Sequence, residues 1–236
     1  MSKLVSPHGG GGLKALLAPR AERKEQLARA QGLTRVPMTS REVSDVLMLA
    51  MGAYTPLDGF MGKGNWRRVC LDMKLRNGVF WPIPITLSAE KALADSIHVE
   101  EEVALVDGES GEILAIMEVT EKYSPDKKLE CEHVYRTSDP AHPGVQKVLE
   151  QGEVNLAGRV TCLSEGEYPQ KYPELYIRPA QARAMFLENG WSSVAACQTR
   201  NPLQRAPEHL VKIAIEVTDG VFIHQVLGTL EPGDIP

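Results

Sequence analysis

The sequence predicts a mixed fold, of the α+β and α/β classes, in which a mainly β module precedes an α/β segment. Short β-type runs separated by Gly and Pro fill the middle of the chain, and the composition changes near Leu163. Beyond that point a strand, a helix and a second strand follow one another within about 35 residues, which is typical of a parallel βαβ unit. The 236 residues, 43% of them apolar, suffice for two domains with separate cores.

The N-terminal part of the chain carries two predicted helices. Residues 21–30 are rich in Ala, Glu, Arg, Lys and Leu, a composition typical of a surface helix. Thr39 is followed three residues later by Glu42, a capping-box pattern that predicts a second helix over residues 40–51. The apolar face of this second helix consists of Val43, Val46, Leu47 and Ala50.

Three β-type runs follow, over residues 80–87, 102–107 and 113–120. Asp107-Gly108 and Ser110-Gly111 lie between the last two runs, and these dipeptides favour the turn of a β-hairpin. Residues up to 162 are therefore predicted to form a compact β-rich module.

The C-terminal part alternates between helix and strand. Pro179 stands at the first position of a predicted helix, and Gly190 stands where a glycine closes one. The remaining predicted elements are a strand over 193–197, a helix over about 208–217 and a strand over 221–227. This order predicts two parallel strands joined by a crossover helix.

Composition excludes several classes of protein. No run of about 18 apolar residues occurs, and the first residues lack the apolar core of a secretory signal, so a cytoplasmic location is expected. The cysteines have no paired spacing that would predict a metal site or a redox pair, and we interpret them as free thiols, most of them buried. These cysteines are Cys70, Cys131, Cys162 and Cys197.

Charge is distributed unevenly. Residues 1–41 hold eight Lys or Arg against two Glu, a net +6, whereas the whole chain carries −5 and the remainder therefore −11. A basic arm over residues 1–35 can contact nucleic acid, an acidic partner or a neighbouring subunit. The simpler interpretation is a solvated helix face, because the basic residues alternate with Glu and Ala and no aromatic residue is present for base stacking.

The turn after the first C-terminal strand carries the candidate chemistry. In parallel α/β sheets, ligands bind beyond the carboxyl ends of strands, where a helix offers its N-terminus. The residues at this point are Gln198, Thr199, Arg200, Asn201 and Pro202. Arg200 supplies a planar fork of donors, and its neighbours supply neutral donors, so the group can bind an oxyanion. Ordinary turn and capping chemistry is the alternative explanation.

This stretch, from Val194 to Leu203, resembles the first active-site loop of the ATP sulfurylase (sulfate adenylyltransferase) family. The resemblance extends to other segments in the same order and spacing, from about Val36 to Pro236. These segments are GAYTPLDGFM (52–61), WPIPI (81–85), VYRTSD (134–139), HPGV (142–145) and GTLEPGDIP (228–236).

The resemblance implies a PUA-like domain over residues 1–162 and the start of a Rossmann-like nucleotidyltransferase domain over 163–236. It implies attack of sulfate on the α-phosphorus of Mg²⁺-bound ATP, which yields adenosine 5′-phosphosulfate and pyrophosphate. Gln198 and Arg200 are implied to bind sulfate. Catalytic roles are implied for Thr199, Arg200 and Asn201, and ATP contacts for Gln198, Thr199, Asn201 and Gln204. A homo-oligomer is also expected, with neither a nucleic-acid nor a membrane partner.

Two positions depart from the family pattern, in which histidines stand where this chain has Gln204 and Pro207. Gln can donate a hydrogen bond but cannot become cationic, and Pro donates none. A helix that began near Pro202 would enclose Pro207, at a cost of about 3 kcal/mol. The sequence therefore predicts a later start, with Pro207 first in the helix. The predicted core stripe is Leu210, Ile213, Ala214 and Val217.

Three other histidines are given non-catalytic interpretations. His209 is expected to point away from the site, because two residues turn a helix by about 200°. His224 is interpreted as a core histidine or a support for ligand-contacting residues. His142 is interpreted as part of a structural turn, with a role at a subunit contact left open.

The family's catalytic domain continues beyond the GDIP segment, with later GRDH and GPREALLH stretches that this sequence lacks. An impaired or partial sulfate adenylyltransferase is therefore expected. The alternative is a non-catalytic binding or assembly subunit derived from that enzyme. A third hypothesis is RNA binding by the PUA-like domain. It is not supported, because the chain after residue 41 is net negative and shows no cluster of basic residues.

Overall fold

The computed structural model describes residues 4–200 and 202–225. They form two compact units, a larger one over Pro7–Pro179 and a smaller one that consists of the described residues of Ala180–Pro236 with a short N-terminal segment. The division at residues 162 and 163 stays a prediction. Within the described ranges, every helix is too short or too polar to cross a membrane.

The larger unit contains a six-stranded sheet flanked by helices. Its helices are α1 (Arg20–Ala30), α2 (Ser40–Met51), α3 (Lys63–Asp72), α4 (Lys91–Ser96), α5 (Lys127–Glu130), a π-helix (Cys131–Tyr135), α6 (Pro143–Glu150) and α7 (Tyr168–Lys171). Its strands are β1 (Thr34–Met38), β2 (Gly59–Phe60), β3 (Leu87–Ala89), β4 (Glu102–Asp107), β5 (Ile113–Tyr123) and β6 (Val154–Cys162). The strand order is β1-β4-β5-β6-β2, and β3 also pairs with β6. The β1–β4 pair is parallel and the other pairs are antiparallel.

Local signals in the sequence determined several of these elements. The capping box at α2 is confirmed, because the Thr39 side chain accepts from the Glu42 N–H and the Glu42 carboxylate accepts from the Thr39 N–H. The predicted hairpin is confirmed as β4–β5, and Gly111 in its turn has a φ of 77°, which glycine adopts at little cost. The strands of this hairpin form the centre of the sheet.

One predicted strand is largely wrong. Of the run over residues 80–87, only Leu87 belongs to a strand, β3, and Phe80 forms an isolated bridge with Lys74. Pro82 and Pro84 explain the difference, because proline has no N–H to donate to a neighbouring strand.

The core of the larger unit lies between α2 and the sheet. Apolar side chains that are fully buried there are Val36, Val46, Leu49, Leu87, Leu105, Met117 and Leu156. The predicted state of the cysteines is confirmed. All four are free thiols, three are buried, and Cys197 is half-buried.

Two arginines of the basic helix α1 have partners within their own chain. The Arg29 guanidinium forms an ion pair with Glu102 of β4, and the Arg23 Nε donates to the Ala18 carbonyl at 2.7 Å. Because these cations already have intrachain partners, the contacts favour the interpretation of a solvated helix face.

A buried carboxylate on α2 links the helix to an aromatic pair of the larger unit. Asp45 is 5% exposed, and it accepts from the Tyr54 hydroxyl at 3.0 Å and from Arg41 at 3.1 Å. Tyr54 packs edge-on against Trp81, with ring centroids 5.8 Å apart. Burial raises the pKa of Asp45 to about 6, although Arg41 and the Tyr54 hydrogen bond act in the opposite direction.

We expect Asp45→Asn to remove part of the pH dependence of stability. A carboxyl whose pKa is raised on folding stabilises the fold below its unfolded pKa, near 3.8, and that contribution disappears as pH rises through about 6. Relative to wild type, the variant should gain up to about 3 kcal/mol between pH 4 and pH 7. Urea unfolding across that range measures the difference. Asp95→Asn, at an exposed position of α4, is the control and should not reproduce this gain, and a flat difference for Asp45→Asn would contradict the prediction.

The smaller unit contains α8 (Pro179–Glu188), β7 (Val194–Thr199), α9 (Arg205–Val217) and β8 (Gly220–Gln225). Its strands β7 and β8 pair in parallel, so the predicted βαβ unit is confirmed. Gly190 has a φ of 71° just beyond α8, as its predicted closing role requires. The last two residues of the predicted strand 221–227 lie outside the described ranges.

The predicted core stripe of α9 is wrong. Val211 is the buried residue of this helix, whereas Leu210 is 66% exposed and Val217 is 75% exposed. Ile213 is also exposed and Ala214 is half-buried. The described sheet of this unit has two strands about 4.8 Å apart, and a helix about 10 Å across contacts so narrow a sheet along one row of residues only.

Candidate functional site

The predicted site residues begin inside strand β7 rather than after it. Gln198 and Thr199 are the last two residues of the strand, and Arg200 follows at a bend. Gln198 and Arg200 are exposed, and Thr199 is half-buried. Asn201, which was also predicted, lies outside the described residues. The strand therefore brings Gln198, Thr199 and Arg200 together at the carboxyl edge of the parallel pair.

Helix α9 begins a few residues further on. Gln204 is its N-cap residue, and its side chain makes no capping hydrogen bond. Arg205 is the first helical residue, so a start later than Pro202 is confirmed, but the prediction that Pro207 comes first is wrong. The first intrahelical bond runs from the Glu208 N–H to the Gln204 carbonyl at 2.9 Å. Pro207 therefore stands in the first turn, where an N–H would have no intrahelical partner. Proline at this position costs no helical hydrogen bond.

The opposite edge of the pair is held by a carboxylate. Asp219 accepts from the backbone N–H groups of Ser192 and Ser193, each at 2.8 Å, and from both of their hydroxyls. These four bonds hold the pKa of Asp219 well below its usual range. Because Asp219 precedes β8 and the two serines precede β7, the bonds fix the register in which the two strands pair.

An aromatic cluster supports one face of the two strands. Phe186 of α8 stacks on Trp191 and packs edge-on against Phe222 of β8, with centroids 6.0 and 6.1 Å apart. A Cβ atom at Gly220 would overlap the Trp191 ring, so only glycine fits at the start of β8. Helix α8 thereby holds β8, and through it β7, in place.

Of the three histidines interpreted from the sequence, one lies in a different environment from the one predicted. The interpretation of His224 as a core histidine is wrong, because its side chain is exposed near the end of β8, in register with Gln198. Sequence reasoning missed this neighbour, although a polar residue near the end of an apolar strand was a visible signal. His209 is exposed on α9. The structural turn predicted at His142 is confirmed, since its Nδ1 accepts from the Gly144 N–H at 3.1 Å and caps α6.

Metal-ligating side chains do not converge within the described ranges, where no group of three or more His, Cys, Asp or Glu residues is placed to hold an ion. The described part of the site offers one guanidinium, an amide and a hydroxyl at the strand end, and a second guanidinium, Arg205, at the start of α9. All of these groups donate hydrogen bonds, and the two guanidiniums also carry positive charge. The arrangement is suited to bind and orient an oxyanion.

Two family models match the chain in sequence. A model described as a PUA-like domain matches residues 5–165, and a model described as ATP-sulfurylase matches residues 173–236. The second match contains all the predicted site residues.

Curated relatives match along the whole chain. A sulfate adenylyltransferase of Syntrophobacter fumaroxidans is 57% identical and covers 100% of this chain, and one of Chlorobium chlorochromatii is 54% identical and covers 99%. The chain spans 58% of the length of each. A solved structure titled hexameric APS kinase, from Thiobacillus denitrificans, matches 96% of this chain with a TM-score of 0.74 and 31% identity. The match covers 40% of that structure's chain.

Proposed function

The chain belongs to the ATP-sulfurylase family, and on that premise we propose that its α/β segment is catalytic and binds sulfate and Mg²⁺-bound ATP. The proposed reaction is that of a sulfate adenylyltransferase. A sulfate oxygen attacks the α-phosphorus, the bond to the bridging oxygen of the β-phosphate breaks, and adenosine 5′-phosphosulfate and pyrophosphate form. We assign residues 163–236 to this chemistry and residues 1–162 to the PUA-like domain.

One observation carries this proposal. Gln198, Thr199 and Arg200 lie together at the carboxyl end of a parallel strand that leads into helix α9. The carboxyl edge of a parallel sheet is where α/β proteins bind phosphorylated ligands, since crossover helices present their N-termini there.

The assigned roles follow from the chemistry of each side chain. Arg200 has a guanidinium fork that matches two oxygens of sulfate, and Gln198 adds a neutral donor. Thr199 and Asn201 are assigned to the nucleotide and to the charge that develops at the α-phosphorus, and Gln204 is assigned to the ATP phosphates. Two anions must approach each other in this reaction, so fixed donors that offset their repulsion account for most of the catalysis. Mg²⁺ enters as part of the nucleotide substrate.

We further propose that this chain turns over slowly. Gln204 and Pro207 stand where the family pattern has histidines, and neither side chain can become cationic as negative charge accumulates on the phosphates. A non-catalytic binding or assembly subunit is the second candidate. The observation that favours it is Pro207, which contributes neither a side-chain donor nor an N–H to the helix start.

The direct test is ATP formation from adenosine 5′-phosphosulfate and pyrophosphate by the purified 236-residue chain. We expect the Gln204→His, Pro207→His double variant to be at least about tenfold faster, because removal of one preorganised donor typically costs 10²–10³ in rate. Glu216→His, in the last turn of α9, is the control and should change nothing.

Equal activity of the unaltered chain and the double variant would contradict the proposed impairment. If neither the unaltered chain nor the double variant is active, but both still bind sulfate and ATP, the non-catalytic subunit is favoured. Failure of both to bind either ligand would overturn the assigned site.

We also propose that the protein forms a homo-oligomer. The structural neighbour is titled a hexamer, and α9 of this chain exposes Leu210, Ile215 and Val217, which another surface can cover. Sedimentation equilibrium of the purified chain measures its oligomeric state.

A further inference from the structure

A histidine lies beside the proposed anion site on the neighbouring strand. His224 is the register partner of Gln198 in the parallel β7–β8 pair. Neighbouring strands run about 4.8 Å apart, and register partners project from the same face of a sheet. The imidazole and the Gln198 amide are therefore adjacent side chains at one carboxyl edge.

The ring of His224 is oriented by packing. It stacks on Phe222, two residues earlier on the same face, with centroids 6.1 Å apart and an angle of 16° between the planes. Phe222 is held in turn by Phe186 of α8. The side chain of His224 is nevertheless exposed, so the stack fixes the plane of the ring while its edge stays accessible to a ligand.

We propose that His224 contacts the tetrahedral oxyanion bound at Gln198 and Arg200, and that it supplies an imidazole donor that Gln204 and Pro207 cannot provide. This inference rests on the proposed function. An imidazole N–H donates a hydrogen bond to an oxyanion in the neutral ring, and both ring nitrogens donate in the protonated ring. Of the chain's histidines, His224 is the one in register with Gln198 on the adjacent strand.

His209 provides a matched comparison. It lies in the same unit and is also exposed, but it belongs to the second turn of α9 and not to the strand edge. A general effect of added anion should change the resonances of both histidines. A direct contact with the bound anion should change those of His224 alone.

The first experiment needs no substitution. The imidazole proton resonances of the full chain are followed by NMR at fixed pH while sulfate alone, or pyrophosphate alone, is added. We expect the His224 resonances to shift with saturation and those of His209 to stay in place. The anion that produces the shift identifies whether sulfate or a phosphoryl group occupies this position.

The second experiment separates hydrogen bonding from packing. His224→Phe keeps an aromatic ring to stack on Phe222 and removes the donor, whereas His224→Asn keeps a donor of similar reach. We expect the Kd of the anion, measured by calorimetry, to rise about tenfold in His224→Phe and less than threefold in His224→Asn. His209→Phe should leave the Kd unchanged.

The outcomes distinguish this inference from the function on which it rests. If the unaltered chain binds the anion through Arg200, but His224 resonances stay fixed and His224→Phe binds normally, the inference is overturned and the proposed function stands. If the unaltered chain binds neither sulfate nor pyrophosphate, both are overturned. Because the NMR measurement uses the unaltered chain, a folding defect in a variant does not affect it.

Discussion

Replacing Arg200 with alanine is expected to weaken sulfate binding about 100-fold. The proposed contact is a pair of charge-assisted hydrogen bonds from one guanidinium, each worth at least about 1.5 kcal/mol, and the loss of about 3 kcal/mol corresponds to a factor on the order of 100. Arg200 directly follows β7, and Gln198 is the second-last residue of that strand, so both lie at the carboxyl end of the parallel pair. Calorimetric titration of the purified chain with sulfate measures the change.

Two further variants determine whether charge or geometry is responsible. Arg200→Lys retains the charge but not the planar fork, so it should recover only part of the affinity. Lys212→Ala, which removes an exposed cation of α9, should leave sulfate binding unchanged. Equal loss in Arg200→Ala and Lys212→Ala would indicate a non-specific charge effect and would remove Arg200 from the site.

Glu42→Ala is expected to destabilise the larger unit by about 3–5 kcal/mol, the range observed when one partner of a buried polar network is removed. Glu42 is 1% exposed. One carboxylate oxygen accepts from the N–H and hydroxyl of Thr39, at 2.9 and 2.8 Å, and the other accepts from the N–H and hydroxyl of Ser88, at 2.8 and 3.0 Å. Alanine would leave these four donors, and the Arg41 guanidinium that donates to Glu42 at 3.4 Å, without this acceptor at the junction of α2 and β3.

Urea unfolding of the purified chain measures this loss. Thr39→Ala, which removes only the capping half of the network, should cost about 1 kcal/mol. Glu25→Ala, on exposed α1, is the control and should be neutral. If Glu42→Ala cost no more than Thr39→Ala, the bonds to Ser88 would contribute nothing to stability.

The accuracy of the sequence-based predictions depends on how local their signals are. Helix α2 and strand β4 occupy the predicted residues, and the hairpin turn after β4 is also as predicted. Their signals lie within a few residues of each element. The run over residues 80–87 fails because apolar composition outweighed two prolines, which have no N–H for strand pairing.

The site was predictable to a similar extent. Its strand, its crossover helix and the residues Gln198 to Arg200 follow from the sequence pattern and the family motif. The start of α9 was misplaced by two residues, because the first turn of a helix accepts proline at more than one position. The interpretation of His224 as a core histidine was wrong, because strand periodicity does not indicate which residues of other elements lie alongside.

The sequence by itself determined the capping of α2, the turn between β4 and β5, the parallel βαβ order and the membership of the family. Tertiary structure alone decided that Glu42 also binds Ser88, 46 residues away, that Val211 is the buried residue of α9, and that His224 stands beside Gln198. The physical reason is the separation along the chain between the residues that interact. Caps and turns depend on hydrogen bonds between residues a few positions apart, whereas burial and strand register depend on how distant segments pack.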